Sequence, residues 1–235
     1  MSLISENLIK WIYLERVDYS KGLSSQREIH KRVSSGEYKG FLLLVEHKPV
    51  VTIGRFGDRN NILLSEEEMK SHGVEIWKIE RGGDVTFHGP GQLVGYPIIS
   101  LRDFKLGVKS YVYLLEETLI GVLRKFGIRG ERIRDHTGVW IDREKIAAIG
   151  VYVKNGITMH GFALNVNTDL NYFSFIVPCG ISNMGVTSMK RILDEEIPLE
   201  EVAVAFAEEF GNRFQINMNL ATENTEFTKK EFLNL

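Results

Sequence analysis

Two long segments of the chain place apolar residues at helical spacing. In residues 108–126 apolar side chains recur at steps of three and four residues, and Gly127 ends the pattern. The second segment begins after Pro198 and places Phe206 and Phe210 on one side. This spacing predicts two amphipathic helices that pack against a core.

Two further helices are predicted from their starting signals. Ser25 is followed three residues later by Glu28, and Ser65 by Glu68, which is the pattern of a capping box. We expect the first of these helices to begin at Ser25 and end near Gly36, and the second to be short.

Short runs of apolar, β-branched or aromatic residues predict strands between these helices. They cover residues 11–14, 41–45, 50–53, 75–79, 94–99, 138–142, 145–154 and 157–167. Asn155 and Gly156 separate the last two runs and form a two-residue hairpin signal. Hairpins favour antiparallel or mixed pairing, so the predicted fold class is α/β of the α+β kind, with a mixed sheet.

The sequence shows no sign of a boundary between domains. We find no internal repeat, low-complexity tract or Pro/Ser-rich linker in the 235 residues. Residues 1–235 are therefore predicted to form a single domain, with a small C-terminal helical subregion from about residue 190. The charged tail, residues 223–235, is expected to be a surface helix or a frayed end.

Composition excludes several functional classes. The 29 Lys and Arg residues nearly balance 31 Asp and Glu, so the chain is not a strongly basic nucleic-acid binder. One cysteine cannot form an internal disulfide. The sequence contains no run of 18 uncharged apolar residues, so no membrane span is predicted. Residues 1–10 lack the charged-then-apolar pattern of a secretory signal. We expect a cytoplasmic protein without a nucleic-acid or membrane partner.

Residues 81–92 form the densest irregular segment. Five of these residues are Gly or Pro, so we expect extended pairing to break here and backbone N–H groups to be free for a ligand. Arg81, Thr86 and His88 make the segment polar as well. It matches neither the P-loop nor the dinucleotide fingerprint, so it does not indicate a nucleotide. The structural alternative is a long turn between two strands.

Cys179 is a candidate nucleophile because it lies between Pro178 and Gly180, in a turn that favours exposure. A cysteine reacts as the thiolate and needs a base or a cation nearby. His88 and His160 are candidates for that base, although a lone histidine is more often structural. The alternative interpretation of Cys179 is an inert core residue.

Lys145 is a second candidate because it opens an apolar run of small residues. Most lysines are solvated surface charges, but one beside an apolar run can lose hydration and act as a base. Scattered histidines and one cysteine give no zinc-type spacing, so no metal site is predicted. The absence of a G-x-S-x-G elbow argues against a serine hydrolase.

Four motifs appear in one order along the chain: RGGDVTFHGPGQ at 81–92, KIAAIG at 145–150, HGFALNV at 160–166 and PCGI at 178–181. Together with EHKPVVTIGR at 46–55, they resemble the lipoyl/octanoyl transferases over residues 40–190. The family usually carries Gln where this chain has Asp84. The resemblance implies the mixed-sheet α/β fold that these enzymes share with biotin and lipoate protein ligases.

The resemblance also implies roles for particular residues. Cys179 would carry an acyl-thioester, and Lys145 would lower the pKa of its thiol. The substrate-binding residues would be Arg81, Gly82, Gly83, Asp84, Val85, Thr86, Phe87, His88, Ala148, Ile149, Gly150, Gly161, Phe162 and Ala163. His160 is a secondary candidate, and no cofactor is implied.

The implied reaction transfers an octanoyl or lipoyl group in lipoate biosynthesis. The donor would be octanoyl-acyl carrier protein, and the acceptors would be lipoyl domains of 2-oxoacid dehydrogenase E2 subunits and the glycine cleavage H protein. One alternative is an ATP-dependent lipoate-protein ligase, and another is a non-catalytic acyl- or protein-binding module. Both protein partners are expected to be acidic. The basic stretch of Arg124, Lys125, Arg129, Arg132 and Arg134 could form a docking face for them, but a solvated helix end is the favoured interpretation.

Overall fold

A computed structural model describes residues 8–177 and 184–220. Its helices are α1 (Tyr19–Ser34), α2 (Glu66–Ser71), α3 (Val108–Lys125), α4 (Met189–Leu193) and α5 (Leu199–Phe214), with 3-10 helices at Arg59–Asn61 and Leu170–Phe175. Its strands are β1 (Leu8–Val17), β2 (Gly40–His47), β3 (Val50–Ile53), β4 (Glu75–Lys78), β5 (Val85–His88), β6 (Gln92–Ile99), β7 (Glu131–Ile133), β8 (His136–Ile141), β9 (Glu144–Lys154), β10 (Ile157–Asn165), β11 (Gly185–Val186) and β12 (Asn217–Leu220).

The described strands form two sheets. In the larger sheet the order is β12-β1-β2-β6-β10-β9-β8-β7, and β11 also pairs with β9. The pairs β12/β1, β1/β2 and β9/β11 are parallel, whereas the other pairs in this sheet are antiparallel. The smaller sheet has the order β4-β3-β5 and is also mixed. The predicted mixed-sheet α/β class is therefore confirmed.

Helices cover both faces of the larger sheet. α3 and α5 pack on one face, where the ring of Phe206 stacks on Phe162 with centroids 4.1 Å apart. α1 covers the other face with Ile29 and Val33. Because both faces are covered, the central strand β2 is apolar and buried without alternation from Phe41 onward to residue 45.

Most predicted elements are confirmed. α3 and α5 follow the periodic segments, and Ser65 and Glu68 form a capping box at α2. The turn between β9 and β10 has positive φ at both Asn155 (54°) and Gly156 (79°), as a tight hairpin requires. The local signals suffice here because the turn and cap residues act within four residues.

Two predictions are wrong. α1 begins at Tyr19 rather than at Ser25, whose buried hydroxyl donates to the carbonyl of Lys21 inside the helix. The glycine-rich segment does not break all extended pairing, because residues 85–88 form β5 and pair with β3. The residues of β5 alternate around a small separate core, which stabilises them as a strand despite their Gly and Pro neighbours.

The remaining predictions on organisation are not decided by these elements. The single-domain interpretation of residues 1–235 stays a prediction, and the tail at 223–235 lies outside the described residues. None of the described helices combines the length and apolar run that crossing a membrane requires. The cytoplasmic location also stays a prediction.

Candidate functional site

A cavity of about 500 Å³ lies between the glycine-rich loop, strands β9 and β10, and the start of α3. Three sequence motifs that are far apart along the chain meet in its wall. Its lining includes residues 81–86, His88, Lys145, residues 148–151 and residues 160–163. The volume lies in the range of small-molecule sites.

Small residues on two neighbouring strands form part of the cavity wall. Ala148 of β9 is the register partner of Ala163 in β10, and Gly150 is the partner of Gly161. A Cβ on Gly161 would lie 2.2 Å from the carbonyl oxygen of Gly95, and one on Gly150 would lie 2.9 Å from that of Gly82. The missing side chain of Gly150 therefore lets the glycine-rich loop approach β9, and the missing side chain of Gly161 leaves room for the backbone of β6.

Hydrogen bonds fix the glycine-rich loop on two sides. The N–H of Gly82 donates to the carbonyl of Val151 at 2.9 Å, which ties the loop to β9. The carboxylate of Asp84 accepts from the backbone N–H of Asp58 at 3.2 Å and from the side-chain amide of Asn61 at 2.5 Å. Asp84, the departure from the family pattern, therefore holds the loop to the segment after β3.

Arg81 places a buried positive charge beside the cavity. Its side chain donates to the hydroxyl of Thr52 from Nε (3.2 Å) and Nη2 (2.9 Å), and to the carbonyl of Thr52 at 2.7 Å. Nη1 donates to the carbonyl of Gly82 at 3.1 Å. The residue is only 7% exposed, so the fork of the guanidinium sets the loop conformation.

His88 is held in one tautomer by a chain of buried amides. Gln92 donates through Nε2 to Asn165 at 2.9 Å, so its Oε1 accepts from Nδ1 of His88 at 2.8 Å. Nδ1 of His88 therefore carries the proton, and Nε2 has a bare lone pair. Burial lowers the pKa of His88 to about 3, so the ring is neutral at pH 7.

Behind the cavity, His47 supports a tyrosine of its wall. Nδ1 of His47 donates to the carbonyl of Val17 at 3.1 Å, and Nε2 accepts from the hydroxyl of Tyr96 at 2.7 Å. Burial lowers the pKa of His47 to about 4 and raises that of Tyr96 well above its usual value. Both groups are neutral at pH 7, which suits a dry polar wall.

His160 adopts a left-handed backbone conformation, with φ of 55°, inside strand β10. Its N–H donates to the side chain of Gln26 at 2.9 Å, and its ring meets Tyr96 edge-on with centroids 6.5 Å apart. Nε2 lies 3.8 Å from a carboxylate oxygen of Glu80. Strict alternation would place His160 on the same face as Phe162, so the positive φ turns its ring toward α1 instead.

Burial also controls the charge on His160. The residue is 2% exposed, and Nε2 has no hydrogen-bond partner within the described residues. Burial, with a smaller contribution from Arg81, lowers the pKa of His160 to about 4 despite the nearby Glu80. The ring is therefore a neutral polar group in the cavity wall at pH 7.

Lys145 lies in the cavity wall near the start of β9 and is half-buried. Its Nζ is 4.7 Å from the ring centroid of Trp140, which is buried and donates from its indole N–H to the carbonyl of His136 at 3.2 Å. Contact with the indole face stabilises positive charge on the ammonium group. Cys179, the predicted partner of Lys145, lies outside the described residues.

One predicted site residue points elsewhere. Phe87 stacks on Tyr172 with centroids 4.6 Å apart, in the core of the smaller sheet, and does not line the cavity. Sequence reasoning missed several lining residues, namely Tyr19, Val94, Tyr96, Val108, Val112, Asp135, His136, Thr137 and Val151. Tyr96 carries the only side-chain hydroxyl of strand β6, in its apolar stretch after Gln92, which is the one local signal among them.

Two of the basic residues considered for a docking face, Lys125 and Arg132, are paired within the protein. Lys125 forms ion pairs with Glu208 (2.9 Å) and Glu209 (3.5 Å). Arg132 pairs with Glu117 and lies 4.2 Å from the ring centroid of Tyr113. These two cations are therefore partly neutralised by their own neighbours.

Known proteins with related sequences identify the family. A family model described as the lipoyl protein ligase A/B catalytic domain matches residues 18–211. An octanoyltransferase of Caldicellulosiruptor saccharolyticus is 47% identical over 86% of this chain and 87% of its own length. The chain is a member of the octanoyltransferase family. A second member, from Alkaliphilus metalliredigens, is 48% identical over 85% of this chain and 94% of its own length.

Solved structures show which known folds this octanoyltransferase family member resembles. A bi-partite lipoate protein ligase of Thermoplasma acidophilum, described with its E2 lipoyl domain, superposes with a TM-score of 0.70 at 18% identity, covering 91% of this chain and 87% of its own. The biotin protein ligase of Aquifex aeolicus reaches 0.54 at 13% identity, covering 88% and 70%. The expected relation to lipoate and biotin ligases is therefore confirmed at the level of fold.

Proposed function

We propose that the protein transfers an octanoyl or lipoyl group from acyl carrier protein to a lysine of lipoyl domains, through a thioester on Cys179. The observation that supports this most is one cavity lined by Lys145, by residues 81–86 with His88, and by residues 148–150 and 160–163. Family membership supports an acyltransferase, since the curated relatives are named octanoyltransferases.

The first half-reaction forms the enzyme thioester. Lys145 takes the proton of the Cys179 thiol, and the thiolate attacks the carbonyl carbon of the octanoyl thioester. The carrier's thiolate leaves and is protonated as a thiol. Backbone N–H groups of the glycine-rich loop are suitable donors for the oxyanion of the tetrahedral intermediate.

The second half-reaction forms an amide. A neutral lysine amine of the lipoyl domain attacks the thioester carbon, the C–S bond breaks, and Cys179 is regenerated. The amine loses one proton as the amide forms, and Lys145 is the proposed relay for it. Neither half requires ATP, because the thioester donor is already activated.

The acyl chain fits the apolar part of this wall. An octanoyl group carries seven carbons beyond its carbonyl, and burial contributes about 0.8 kcal/mol per methylene, so roughly 5 kcal/mol of binding. Ala148, Ala163 and Gly150 leave room for a thin chain between the sheet and the loop.

The test is the intact mass of the protein after incubation with octanoyl-acyl carrier protein, with and without ATP. We expect one added octanoyl mass without ATP in the wild type and none in Cys179→Ser, followed by transfer to a lipoyl domain. An ATP-dependent lipoate-protein ligase would leave Cys179→Ser active and require ATP. A non-catalytic module would bind without turnover, and an unmodified mass would count against the proposal.

The role of Lys145 has its own test. We expect Lys145→Ala to slow alkylation of Cys179 by iodoacetamide at pH 7, because the proton acceptor is lost. Unchanged rates would remove Lys145 from this role and would leave His88 and His160 to be tested in the same assay.

A further inference from the structure

The outer edge of β9 is paired over only part of its length. β8 pairs with β9 through Val139, Trp140 and Ile141, opposite residues 144–147. β9 then continues to Lys154, with β10 on its inner side. Residues 148–153 are half-buried and residues 148–151 line the cavity, so this part of the edge faces the cavity.

Backbone groups along this edge point into that space. In an antiparallel pair, alternate residues direct both N–H and C=O away from the partner strand. Val151 is one of them, because its carbonyl accepts from Gly82, so Ile149 points the same way. Within the described residues, the backbone groups of 148–153 that point away from β10 form one hydrogen bond, the one from Gly82 to Val151. An edge with free amide groups is a template for an extended chain of amides.

A second groove of about 500 Å³ continues the cavity outward. It shares Val108, Val112, Asp135, His136 and Thr137 with the cavity wall, so the two spaces adjoin. It also carries Lys109, Arg132 and Arg134. Together the two spaces form a path from the surface, along the edge of β9, to Lys145.

Two cations of this groove can bind an anion. Lys109 is exposed and forms no ion pair within the described residues. The side chain of Arg134 is 95% exposed, and its pairing with Asp135 at 3.7 Å is between two exposed groups, which contributes little. Arg132, by contrast, is committed to Glu117 and Tyr113.

We propose that this path holds the prosthetic arm of the donor carrier protein, a flexible chain with two secondary amides and a phosphodiester. The inference rests on the proposed function and adds a binding site to it. Lys109 and Arg134 bind the phosphate, and the free N–H and C=O of Ile149 pair with an amide of the arm. Ile149 lies four residues from Lys145, about 13 Å along the strand, so the thioester end extends toward Lys145.

The first test compares two small donors that differ only in phosphate, octanoyl-pantetheine and octanoyl-phosphopantetheine. In the wild type we expect the phosphate to lower KM about tenfold, the size of one charge-assisted hydrogen bond. In the double variant Lys109→Ala/Arg134→Ala this advantage disappears, while KM for octanoyl-pantetheine is unchanged. Lys70→Ala, an exposed lysine that lines neither space, is the matched control and keeps the advantage.

The second test addresses the edge of β9. Octanoyl-N-acetylcysteamine has one amide fewer than octanoyl-pantetheine, and in the wild type we expect a lower kcat/KM for it. Ile149→Pro removes the outward N–H, a change that an edge position tolerates, and reduces the difference between the two donors. Circular dichroism checks the fold of this variant, and if it does not fold, the wild-type donor series alone decides.

Three outcomes overturn the inference. In the first, the wild type has the same KM for the phosphate-bearing and phosphate-free donors; in the second, the double variant retains the advantage of the phosphate. Alternatively, the double variant raises KM for the lipoyl domain and leaves the donors unaffected, which would assign the groove to the acceptor. In each case, formation of the octanoyl thioester on Cys179 of the wild type still supports the proposed function. Failure of the wild type to form this thioester counts against the proposed function itself.

Discussion

The polar part of the cavity wall, made of Tyr19, Arg81, His88, Tyr96 and His160, is buried throughout. The edge part, made of Lys145, Ile149, Val108 and Val112, is half-buried or exposed. Hydrogen bonds within the protein fix much of the polar part, whereas the edge part offers unpaired backbone and a lysine. The polar part can therefore keep one geometry, while the edge part is accessible to large partners.

The largest expected effect is the response of the polar part to acid. Burial lowers the pKa of His47 and His160 to about 4 and of His88 to about 3, below the unfolded value near 6.5. Protonation therefore favours the unfolded state as pH falls from about 6.5 toward 4. We expect the free energy of unfolding in urea to fall by roughly 3 kcal/mol or more between pH 7 and pH 5.

A variant of His160 tests how much of this pH dependence of the unfolding free energy comes from one histidine ring. Asn tolerates the positive φ at position 160, so His160→Asn keeps the backbone and removes one titrating group. Its stability should change with pH less steeply than that of the wild type, by up to about 1.4 kcal/mol per pH unit below pH 6. Equal slopes for the two proteins would contradict a buried neutral His160.

The next effect compares two glycines that are register partners. Gly161→Ala forces a Cβ to 2.2 Å from the carbonyl of Gly95, and we expect a loss of about 3 kcal/mol in unfolding free energy. Gly150→Ala meets the carbonyl of Gly82 at 2.9 Å, where the loop can shift, so its loss should be smaller. Thermal and urea unfolding of both variants test this order. A larger loss for Gly150→Ala than for Gly161→Ala would contradict it.

A smaller effect is expected from the partner of Arg81. Thr52→Val removes a hydroxyl that accepts from two nitrogens of the guanidinium, at similar volume. We expect destabilisation of about 1–2 kcal/mol, since the buried cation loses an acceptor. Thr52→Ser keeps the hydroxyl and serves as the control. If both variants unfold alike, the hydroxyl is not what holds Arg81.

The smallest effect on stability is expected in the edge part. Lys145→Met removes an ammonium group from the face of Trp140, which contributes about 1 kcal/mol or less at a half-buried position. We expect nearly wild-type unfolding with loss of acyl transfer. A loss above 3 kcal/mol would show that Lys145 supports the fold, and the contrast between the two parts would fail.

The sequence predicts those features whose signals are local. The periodic spacing of α3, the capping box at Ser65 and the Asn155-Gly156 turn each act over a few residues, and each is confirmed. The motifs at 81–88, 145–150 and 160–163 were also expected to share a site, but only because they resemble a family. The two-residue turn at Asn155-Gly156 already implies that Gly150 faces Gly161, because the turn sets the register of the hairpin. No local pattern, however, places the glycine-rich loop against Gly150, which depends on tertiary packing.

Other features depend on tertiary contacts that local patterns do not encode. α1 begins six residues before its apparent capping box because Tyr19 is buried against His47 and Trp77. Phe87 leaves the cavity because β5 pairs with β3 and turns its ring into the smaller core. The ring of His160 changes face through a single positive φ, which alternation cannot reveal.

Trp140 gives the cavity an optical reporter of its own. Its indole face lies against the ammonium group of Lys145, and its N–H donates to the carbonyl of His136, a residue that lines the second groove. Movement of that charge, or entry of a ligand beside it, alters the surroundings of the chromophore. With Trp11 and Trp77 replaced by phenylalanine, intrinsic emission would follow loading and unloading in real time without any attached dye.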